Sequence, residues 1–310
     1  MTLFLEQALN GLQLGVLLFL LSAGLTLVFG VMGIVNLAHG SLYMLGAYFA
    51  VTFTAWTGSF VLGAMGALLA TVLVGVVLER VAIRGLYNRP HLEQVLGTFG
   101  LILFFNEGTR LVFGPAGLSL APPAWLSGQV TLLPGIVYPS YRLAVLVAGI
   151  ASAAGLYWLV ARTRAGMLLR AAAANRNMAE ALGVNSRLLF LAVFALGAAL
   201  SGLAGILAAP LLTVRVGMGE EVLLLAFVVV VIGGIGSIRG ALVAALLIGV
   251  IDTLGRAYLP GALRFAFAGP VADAVGPALS SMLIYIAMAV VLVVRPRGLF
   301  PTSARTDVAV

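Results

Sequence analysis

The sequence predicts an all-α protein, a polytopic transmembrane helical bundle of 8–10 spans, nine in the working topology, with interrupted helices. Hydrophobic residues make up 62% of the chain and charged residues only 9%, a composition far outside the range of soluble domains. No residue between Glu6 and Glu79 carries a fixed charge. Because one crossing of the hydrocarbon needs about 20 residues, that stretch alone accommodates three spans.

The spans are predicted from apolar runs that are bounded by glycine, proline or charged residues. In chain order they lie at 8–30, 41–57, 59–78, 95–113, 142–161, 188–214, 222–238, 240–259 and 274–294. Pro210 lies inside an otherwise helical run and is expected to kink or end the sixth span. The whole chain, 1–310, is expected to form a single membrane domain.

The distribution of arginine predicts the orientation, because short basic loops stay in the cytoplasm. Twelve arginines fall on one side of the predicted topology and five fall on the other side or within spans. The twelve are Arg80, Arg84, Arg89, Arg162, Arg164, Arg170, Arg176, Arg187, Arg239, Arg295, Arg297 and Arg305, and the five are Arg110, Arg142, Arg215, Arg256 and Arg264. The C-terminus is therefore predicted to be cytoplasmic. Nine spans place the N-terminus outside, whereas eight or ten would reverse that end.

The longest cytoplasmic connection, residues 162–187, is predicted to contain a short helix, and we call it the arginine loop. The alanine run at 171–174 favours helix, and Gly183 suits a left-handed helix end. Asn185 or Ser186 can cap the span that follows. Such a helix could dock in a groove of another protein. A loop that only sets the orientation of the spans is the alternative.

Glycine-rich segments interrupt the apolar sequence at two places, GVMGIVNLAHG (30–40) and GGIGSIRG (233–240). Broken helices surround central pathways in some membrane proteins, and close helix packing is the alternative explanation. The candidate pathway residues are Asn36, His39, Gly40, Gly233, Gly234, Gly236 and Ser237. A continuous helix would place Asn36 and His39 on one face.

Other small and charged residues within the spans are interpreted as structural. Glu107 and Arg110 are spaced to form an ion pair, and so are Asp252 and Arg256. The run of Gly197, Ser201, Gly205 and Ala209 permits close helix approach. Glu220 and Glu221 are expected at the outer surface, where they are either solvated or line a mouth.

Absent residue types exclude several mechanisms. The chain contains neither Cys nor Lys, so thiolate chemistry and a Walker A nucleotide site are excluded. With His39 and His91 as the only histidines, neither a metal site nor a cofactor is expected. Nucleic acid is not expected as a partner, because the arginines are scattered between apolar spans.

Three segments carry a resemblance to a known family: GLTLVFGVMGIVNLAHGSLYMLGAY (24–48), LERVAIRGL (78–86) and LLAFVVVVIGGIGSIRGALVAALLIGV (224–250). They resemble the branched-chain amino acid ABC transporter permeases of the LivH type, and the resemblance extends nearly from end to end. It implies a bacterial inner-membrane transport subunit without catalytic activity of its own. The implied cargo is leucine, isoleucine or valine; related permeases carry urea and short amides, which remain the alternative.

The resemblance also implies partners. These are a second homologous permease, two cytoplasmic ABC ATPase subunits and a periplasmic substrate-binding protein, with membrane lipid around the spans. Within the arginine loop it implies an ATPase-coupling segment that contains Ala173, Asn177, Glu180, Ala181, Leu182 and Gly183. The mechanism implied is alternating access driven by ATP bound to the other chains.

Two alternatives come from other functional classes. An ion-coupled secondary transporter would need intramembrane carboxylates, but Glu107 and Asp252 each have an arginine nearby. An intramembrane enzyme that uses His39 would need a nucleophile, a base and an orienting group, and the sequence offers no such set. Neither alternative accounts for both glycine-rich segments and the arginine loop.

Overall fold

The backbone is helical over most of its length, because amide groups in hydrocarbon need partners within their own segment. The computed structural model describes residues 2–133, 136–265, 267 and 269–300, so Arg305 lies outside the described residues. The α-helices are α1 (Thr2–Met32), α2 (His39–Thr57), α3 (Phe60–Leu78), α4 (Arg84–Leu86), α5 (His91–Phe113), α6 (Ser140–Arg162), α7 (Arg164–Ala174), α8 (Arg176–Ala181), α9 (Ser186–Ala208), α10 (Met218–Gly233), α11 (Ile238–Leu263) and α12 (Gly269–Val294). A π-helical turn, Glu79–Ile83, joins α3 to α4.

Within the described ranges, seven helices are long and apolar enough to cross a membrane: α1, α3 continued through α4, α5, α6, α9, α11 and α12. The polytopic all-α class is therefore confirmed. The two remaining predicted spans correspond to α2, with 19 residues, and α10, with 16. At 1.5 Å per residue α10 extends about 24 Å, less than the hydrocarbon thickness of about 30 Å.

Helix α1 lies at the centre of the bundle. It is apolar around its whole circumference, as expected for a helix that other helices surround, and Leu18, Leu20 and Leu21 are almost fully buried. Its neighbours are α6, α9, α10 and α11. By contrast, few residues of α5 and α6 are buried, and Leu103 and Val147 are exposed. The outer helices therefore present apolar surface to lipid or to another membrane protein.

Glycines allow the central helices to approach closely. A Cβ on Gly11 of α1 would lie 2.7 Å from the Cα of Val250 in α11. In α9, a side chain at Gly205 would overlap the backbone carbonyl of Tyr43, and the Ser201 hydroxyl donates to the His39 carbonyl at 2.9 Å. The small-residue run in α9 therefore packs against α2, as predicted. Helix α9 ends at Ala208, two residues before Pro210.

One end of the bundle carries a β-hairpin that the sequence did not predict, and we call it the hairpin end. Strands β1 (Gln129–Leu133) and β2 (Ile136–Pro139) pair antiparallel between α5 and α6. The Tyr138 hydroxyl donates to Oδ1 of Asn10 at 3.1 Å, so the start of α1 lies here too. The arginine loop follows α6 and lies at the opposite end, which we call the loop end.

Candidate functional site

The first glycine-rich segment is not helical between α1 and α2. Helix α1 ends at Met32, Gly33 has a φ of +70°, and α2 begins at His39. The connection folds back along α1, because the His39 ring lies beside Leu21 and Gly24. The expectation that Asn36 and His39 share one helix face is therefore wrong, since Asn36 lies in the non-helical connection and His39 begins α2.

Asn36 is fully buried in this connection, and neither atom of its side-chain amide has a hydrogen-bond partner among the described residues. The neighbouring amide of Val35 donates to Oε1 of Gln94 at 3.3 Å. The side-chain nitrogen of Gln94, Nε2, in turn donates to the backbone carbonyls of Leu86 and Arg89. Gln94 thus joins the connection to the loop-end segment after α4, a role that only tertiary contacts reveal.

His39 is enclosed by α1, α2 and α9. Its ring is hydrogen-bonded to the backbone of Leu21, and a Cβ on Gly24 would lie 2.8 Å from its Nε2. A side chain on Gly197 would lie 3.4 Å from the ring. The next residue, Gly40, approaches Gly219 of α10 so closely that neither position has space for a Cβ. His39 and Gly40 therefore occupy a tightly packed helix crossing.

The second glycine-rich segment forms the connection between α10 and α11. Gly234 and Gly236 have φ values of +100° and +82°, which side chains rarely adopt. Gly233 packs directly against Gly240, and a Cβ on Gly234 would lie 2.9 Å from the carbonyl oxygen of Phe300. The Ser237 hydroxyl accepts a hydrogen bond from the amide of Gly240 at 3.1 Å and so caps α11.

The segment 295–300 covers the end of α10. The amide of Leu299 donates to the carbonyl of Ile232 at 2.8 Å, and the amide of Phe300 donates to the carbonyl of Gly233 at 3.1 Å. These carbonyls belong to the last turn of α10, where no following helical turn supplies donors. Gly233 and Gly234 therefore contact other parts of the chain closely. Such contacts are expected if these two glycines serve close packing, which was the alternative to a place on the pathway.

The two glycine-rich segments meet at the loop end. A Cβ on Gly30 would lie 2.9 Å from the Cα of Gly236. Beside this contact is a cavity of about 680 Å³, which lies between α1, α6, α7 and the connection from α10 to α11. Of the candidate pathway residues, Gly236 and Ser237 line it, and Ala173 of the arginine loop lines it as well. Asn36, His39, Gly40, Gly233 and Gly234 are not among its lining residues.

Two arginines that the sequence analysis assigned only to topology also line this cavity. Arg239 donates from Nη2 to the Tyr157 hydroxyl at 2.9 Å, and its guanidinium lies 5.2 Å from the centre of the Tyr157 ring. Arg170 donates to the carbonyl of Val160. These partners are far apart in sequence or on different helices, so their proximity depends on how α6, α7 and α11 pack.

The arginine loop forms two helices, α7 and α8, so the prediction of one short helix is wrong in number. The break lies at Asn175, whose side chain accepts from the amide of Met178 at 3.0 Å and caps α8. Gly183 has a φ of +88°, and the Asn185 side chain accepts from the amide of Leu188. Both predicted helix-end signals are therefore confirmed.

The predicted coupling residues of the loop are exposed. Asn177, Glu180, Ala181, Leu182 and Gly183 lie on the surface, and 79% of Leu182 is accessible. Their apolar neighbour Met178 is 59% exposed. We call these six residues the α8 surface.

Internal contacts hold α8 in position. Nε of Arg176 donates to Oε1 of Glu180 at 2.9 Å, and its guanidinium lies over the Phe190 ring of α9. A hydrogen bond with Ser186, and secondly the one with Arg176, lowers the pKa of Glu180 below its usual 4.5. The Glu180 carboxylate is therefore ionised at neutral pH, with Arg176 as its counter-ion, and lies beside apolar side chains.

Most of the remaining acidic residues in the described part of the chain are paired with arginines. Arg110 and Glu107 form an exposed ion pair at 3.3 Å, and Arg256 and Asp252 form one at 2.8 Å with the carboxylate almost buried. Both pairs were predicted. Glu221 is bound by Arg215, and Glu220 accepts a hydrogen bond from Asn106. In the described part of the chain, no three histidine or carboxylate residues lie close enough to hold a metal ion.

A multi-pass helical membrane protein with broken helices beside a cavity is the class that fold and site define. A family model described as the permease component of branched-chain amino acid transport systems matches residues 7–292. The chain belongs to this family of permease components of transport systems.

Several known proteins are similar over most of their length. The high-affinity branched-chain amino acid transport system permease protein BraD of Pseudomonas aeruginosa is 30% identical, covering 96% of this chain and 95% of that protein. The permease protein LivH of Escherichia coli K12 is 30% identical over 83% of this chain and 87% of its own length. A probable LivH protein of Methanocaldococcus jannaschii is 27% identical over 81% of each. No solved structure matches the chain.

Proposed function

We propose that the chain is the membrane-spanning permease subunit of an ATP-driven importer of leucine, isoleucine and valine. The observation that carries this proposal is the cavity at the loop end, because Gly30 of the first glycine-rich segment, Gly236 of the second and helix α7 of the arginine loop border the same space. A movement of α7 would change the shape of that cavity directly. The family and the cargo named for the relatives support an amino acid as the solute.

The work of ATP reaches this chain from separate subunits. The chain has no lysine for a Walker A site, and the α8 surface offers an apolar and acidic face on which another protein could dock. We propose two cytoplasmic ATPase subunits there, a second homologous permease against the apolar outer helices and a periplasmic substrate-binding protein at the hairpin end. The arginine loop is then the coupling segment of a single permease domain.

The proposed setting is the inner membrane of a bacterium, with the loop end and the C-terminus in the cytoplasm. Arg164, Arg170 and Arg176 lie in the arginine loop, and Arg239 and Arg295 lie near the same end. Their concentration at one end agrees with the tendency of basic loops to remain cytoplasmic. The start of α1 contacts the hairpin end, so we propose that it lies outside as well.

Other classes of transporter receive less support. An ion-coupled transporter needs a carboxylate that can exchange protons or sodium within the membrane. Asp252 and Glu107 each form an ion pair with an arginine. As for the cargo, no relative named above is described as an amide or urea permease. The import of branched-chain amino acids is therefore the function that these observations favour.

Reconstitution tests the proposal. The chain, purified gently from its own membrane, is expected to bring two ATPase subunits and a second permease with it. In proteoliposomes that contain this complex, binding protein loaded with leucine should give uptake that requires ATP. Uptake that depends on membrane potential and ignores ATP, or uptake of urea in preference to leucine, would contradict the proposal.

A further inference from the structure

The cavity at the loop end has a positive character that no carboxylate among the described residues cancels. Arg170 and Arg239 line it, and none of its lining residues is acidic. In the described part of the chain, neither arginine forms an ion pair with an aspartate or glutamate. Helix α11 also begins here at Ile238, and the N-terminus of a helix favours an anion.

Arg239 is held at the cavity wall. The Tyr157 hydroxyl accepts one of its hydrogen bonds, and the Tyr157 ring lies against the guanidinium. A guanidinium carries five N–H donors in a planar fork, so most of them remain for a ligand. The planar fork matches the two oxygens of a carboxylate, which Arg binds through paired hydrogen bonds.

A buried hydroxyl provides a second, independent indication of a ligand. Thr26 of α1 lines the cavity and is only 1% exposed, yet its Oγ1 has no hydrogen-bond partner among the described residues. A buried polar atom without a partner costs free energy, so such atoms usually bind water or a ligand. A hydroxyl can accept a hydrogen bond from an ammonium group or donate one to a carboxylate.

The rest of the wall is apolar. Leu27, Val31, Val160 and Leu169 line the cavity together with small alanines of α6 and α7. A volume of about 680 Å³ lies within the usual range for small-molecule sites, about 300–1,000 Å³. Aliphatic walls with a cationic edge and one buried hydroxyl suit a small zwitterion that has a branched aliphatic side chain.

We infer that this cavity is an inner binding subsite for the amino acid, in which Arg239 holds the α-carboxylate beside the first turn of α11. Arg170 adds positive charge, and the hydroxyl of Thr26 forms a hydrogen bond with the polar end of the ligand. This inference rests on the proposed function, because it assigns the cargo of that function to a place. Helix α7 lines the same space through Leu169 and Ala173, so movement of the arginine loop would change the subsite.

Direct binding tests the subsite without the substrate-binding protein. The assembled transporter in nanodiscs, free of ATP, is titrated with leucine, with isovaleric acid, which is valine without the ammonium group, and with isoamylamine, which is leucine without the carboxylate. Ligand-observed NMR measures each affinity. The Arg239→Gln variant is expected to bind leucine and isovaleric acid about tenfold more weakly, the usual order for a lost charge-assisted hydrogen bond. Binding of isoamylamine should not weaken, because the substitution removes a positive charge that repels its ammonium group.

Matched variants separate the subsite from general effects. Arg239→Lys keeps the charge and should retain part of the affinity for isovaleric acid. Arg110→Gln makes the same charge change in an exposed ion pair and should leave all three affinities as in the parent protein. Normal binding of isoamylamine by Arg239→Gln also reports that this variant is folded.

Two results would overturn the inference. One is leucine binding that is undetectable in the parent transporter or unchanged in Arg239→Gln. The other is that Arg239 binds a lipid instead of the amino acid. Native mass spectrometry would then find an anionic phospholipid in the parent transporter and not in Arg239→Gln, and the leucine affinity would be the same in both. ATP-driven leucine uptake by the parent transporter, measured separately, reports on the proposed function alone. If that uptake is normal and Arg239→Gln has no effect, only the subsite is wrong.

Discussion

The surroundings of a polar side chain in this bundle depend on where its residue lies in the backbone, within the packed core or at a break between helices. His39 begins α2 and is enclosed by α1 and α9, so its ring lies within the core. Ser237 follows a left-handed glycine and lies at a cavity wall, although it also caps a helix. Sequence spacing could not separate these two cases, because the surroundings of each side chain depend on how distant helices pack.

Glu180 tests the α8 surface at the scale of one residue. Replacement by arginine reverses the charge of that surface and places two cations one helical turn apart at 176 and 180. We expect Glu180→Arg to abolish the stimulation of ATP hydrolysis by loaded binding protein and to lower leucine uptake about tenfold, since like charges across an interface cost several kcal/mol. Reconstituted transporter provides both rates.

The matched variant is Glu180→Gln, which keeps the shape and removes only the charge. Its effect should be smaller than that of Glu180→Arg. Gly183→Pro gives a second route to the same loss, because proline cannot adopt the φ of +88° found there. If ATP hydrolysis in Glu180→Arg and Gly183→Pro still responds fully to loaded binding protein, the α8 surface is not the coupling segment.

At the scale of elements, local sequence predicted helices well and their junctions poorly. The span predicted at 142–161 is α6 at Ser140–Arg162, and the alanine run of the arginine loop is helical. The break at Asn175 was missed, although an asparagine that caps a helix through its own side chain is a local signal. The hairpin of β1 and β2 was also missed, since its short strands carry little periodicity.

The contact of segment 295–300 with the end of α10 permits a test of one element. Leu299→Pro removes the amide that donates to the Ile232 carbonyl. A buried carbonyl that loses its partner costs about 1–3 kcal/mol, so the unfolding temperature of the purified protein in detergent should fall by several degrees. The fraction of monodisperse protein after heating, measured by size-exclusion chromatography, gives this temperature.

Leu299→Ala is the control for the Leu299→Pro experiment. It shortens the side chain but keeps the backbone amide, so its unfolding temperature should lie between those of the parent and the proline variant. Equal unfolding temperatures for the alanine and proline variants would mean that the hydrogen bond to Ile232 contributes nothing measurable.

At the scale of the whole molecule, the two ends of the bundle can be assigned to the two sides of the membrane. The absence of cysteine makes the chain a ready background for labelling. Leu182→Cys in the α8 surface and Trp125→Cys near the hairpin are both well exposed. In membranes that lack the ATPases, an impermeant maleimide should label Leu182→Cys only from the cytoplasmic side and Trp125→Cys only from the outside.

Leu21→Cys, at a fully buried position of α1, should stay unlabelled from either side and so reports that the protein remains folded during labelling. Labelling of both exposed positions from the same side would contradict the topology. If each exposed position is labelled from the side opposite to the expected one, the fold is unaffected and the proposed orientation is inverted.

The fold class and the helical segments could be predicted from the sequence, because apolar length and charge placement act locally. The cavity could not be predicted from the sequence. It depends on Arg239 meeting Tyr157, 82 positions earlier, and on Gly30 meeting Gly236, which only the packing of α1, α6 and α11 determines. The ion pairs within single helices were predictable because three or four residues separate their partners.

The cover that segment 295–300 provides for the end of α10 has a consequence for biosynthesis. The carbonyls of Ile232 and Gly233 leave the ribosome well before the amides of Leu299 and Phe300 that bind them. At about 5–20 residues per second this interval lasts roughly 3–13 s, during which α11 and α12 are already entering the membrane. We therefore expect the junction of α10 and α11 to be completed last, after every span has been delivered to the bilayer.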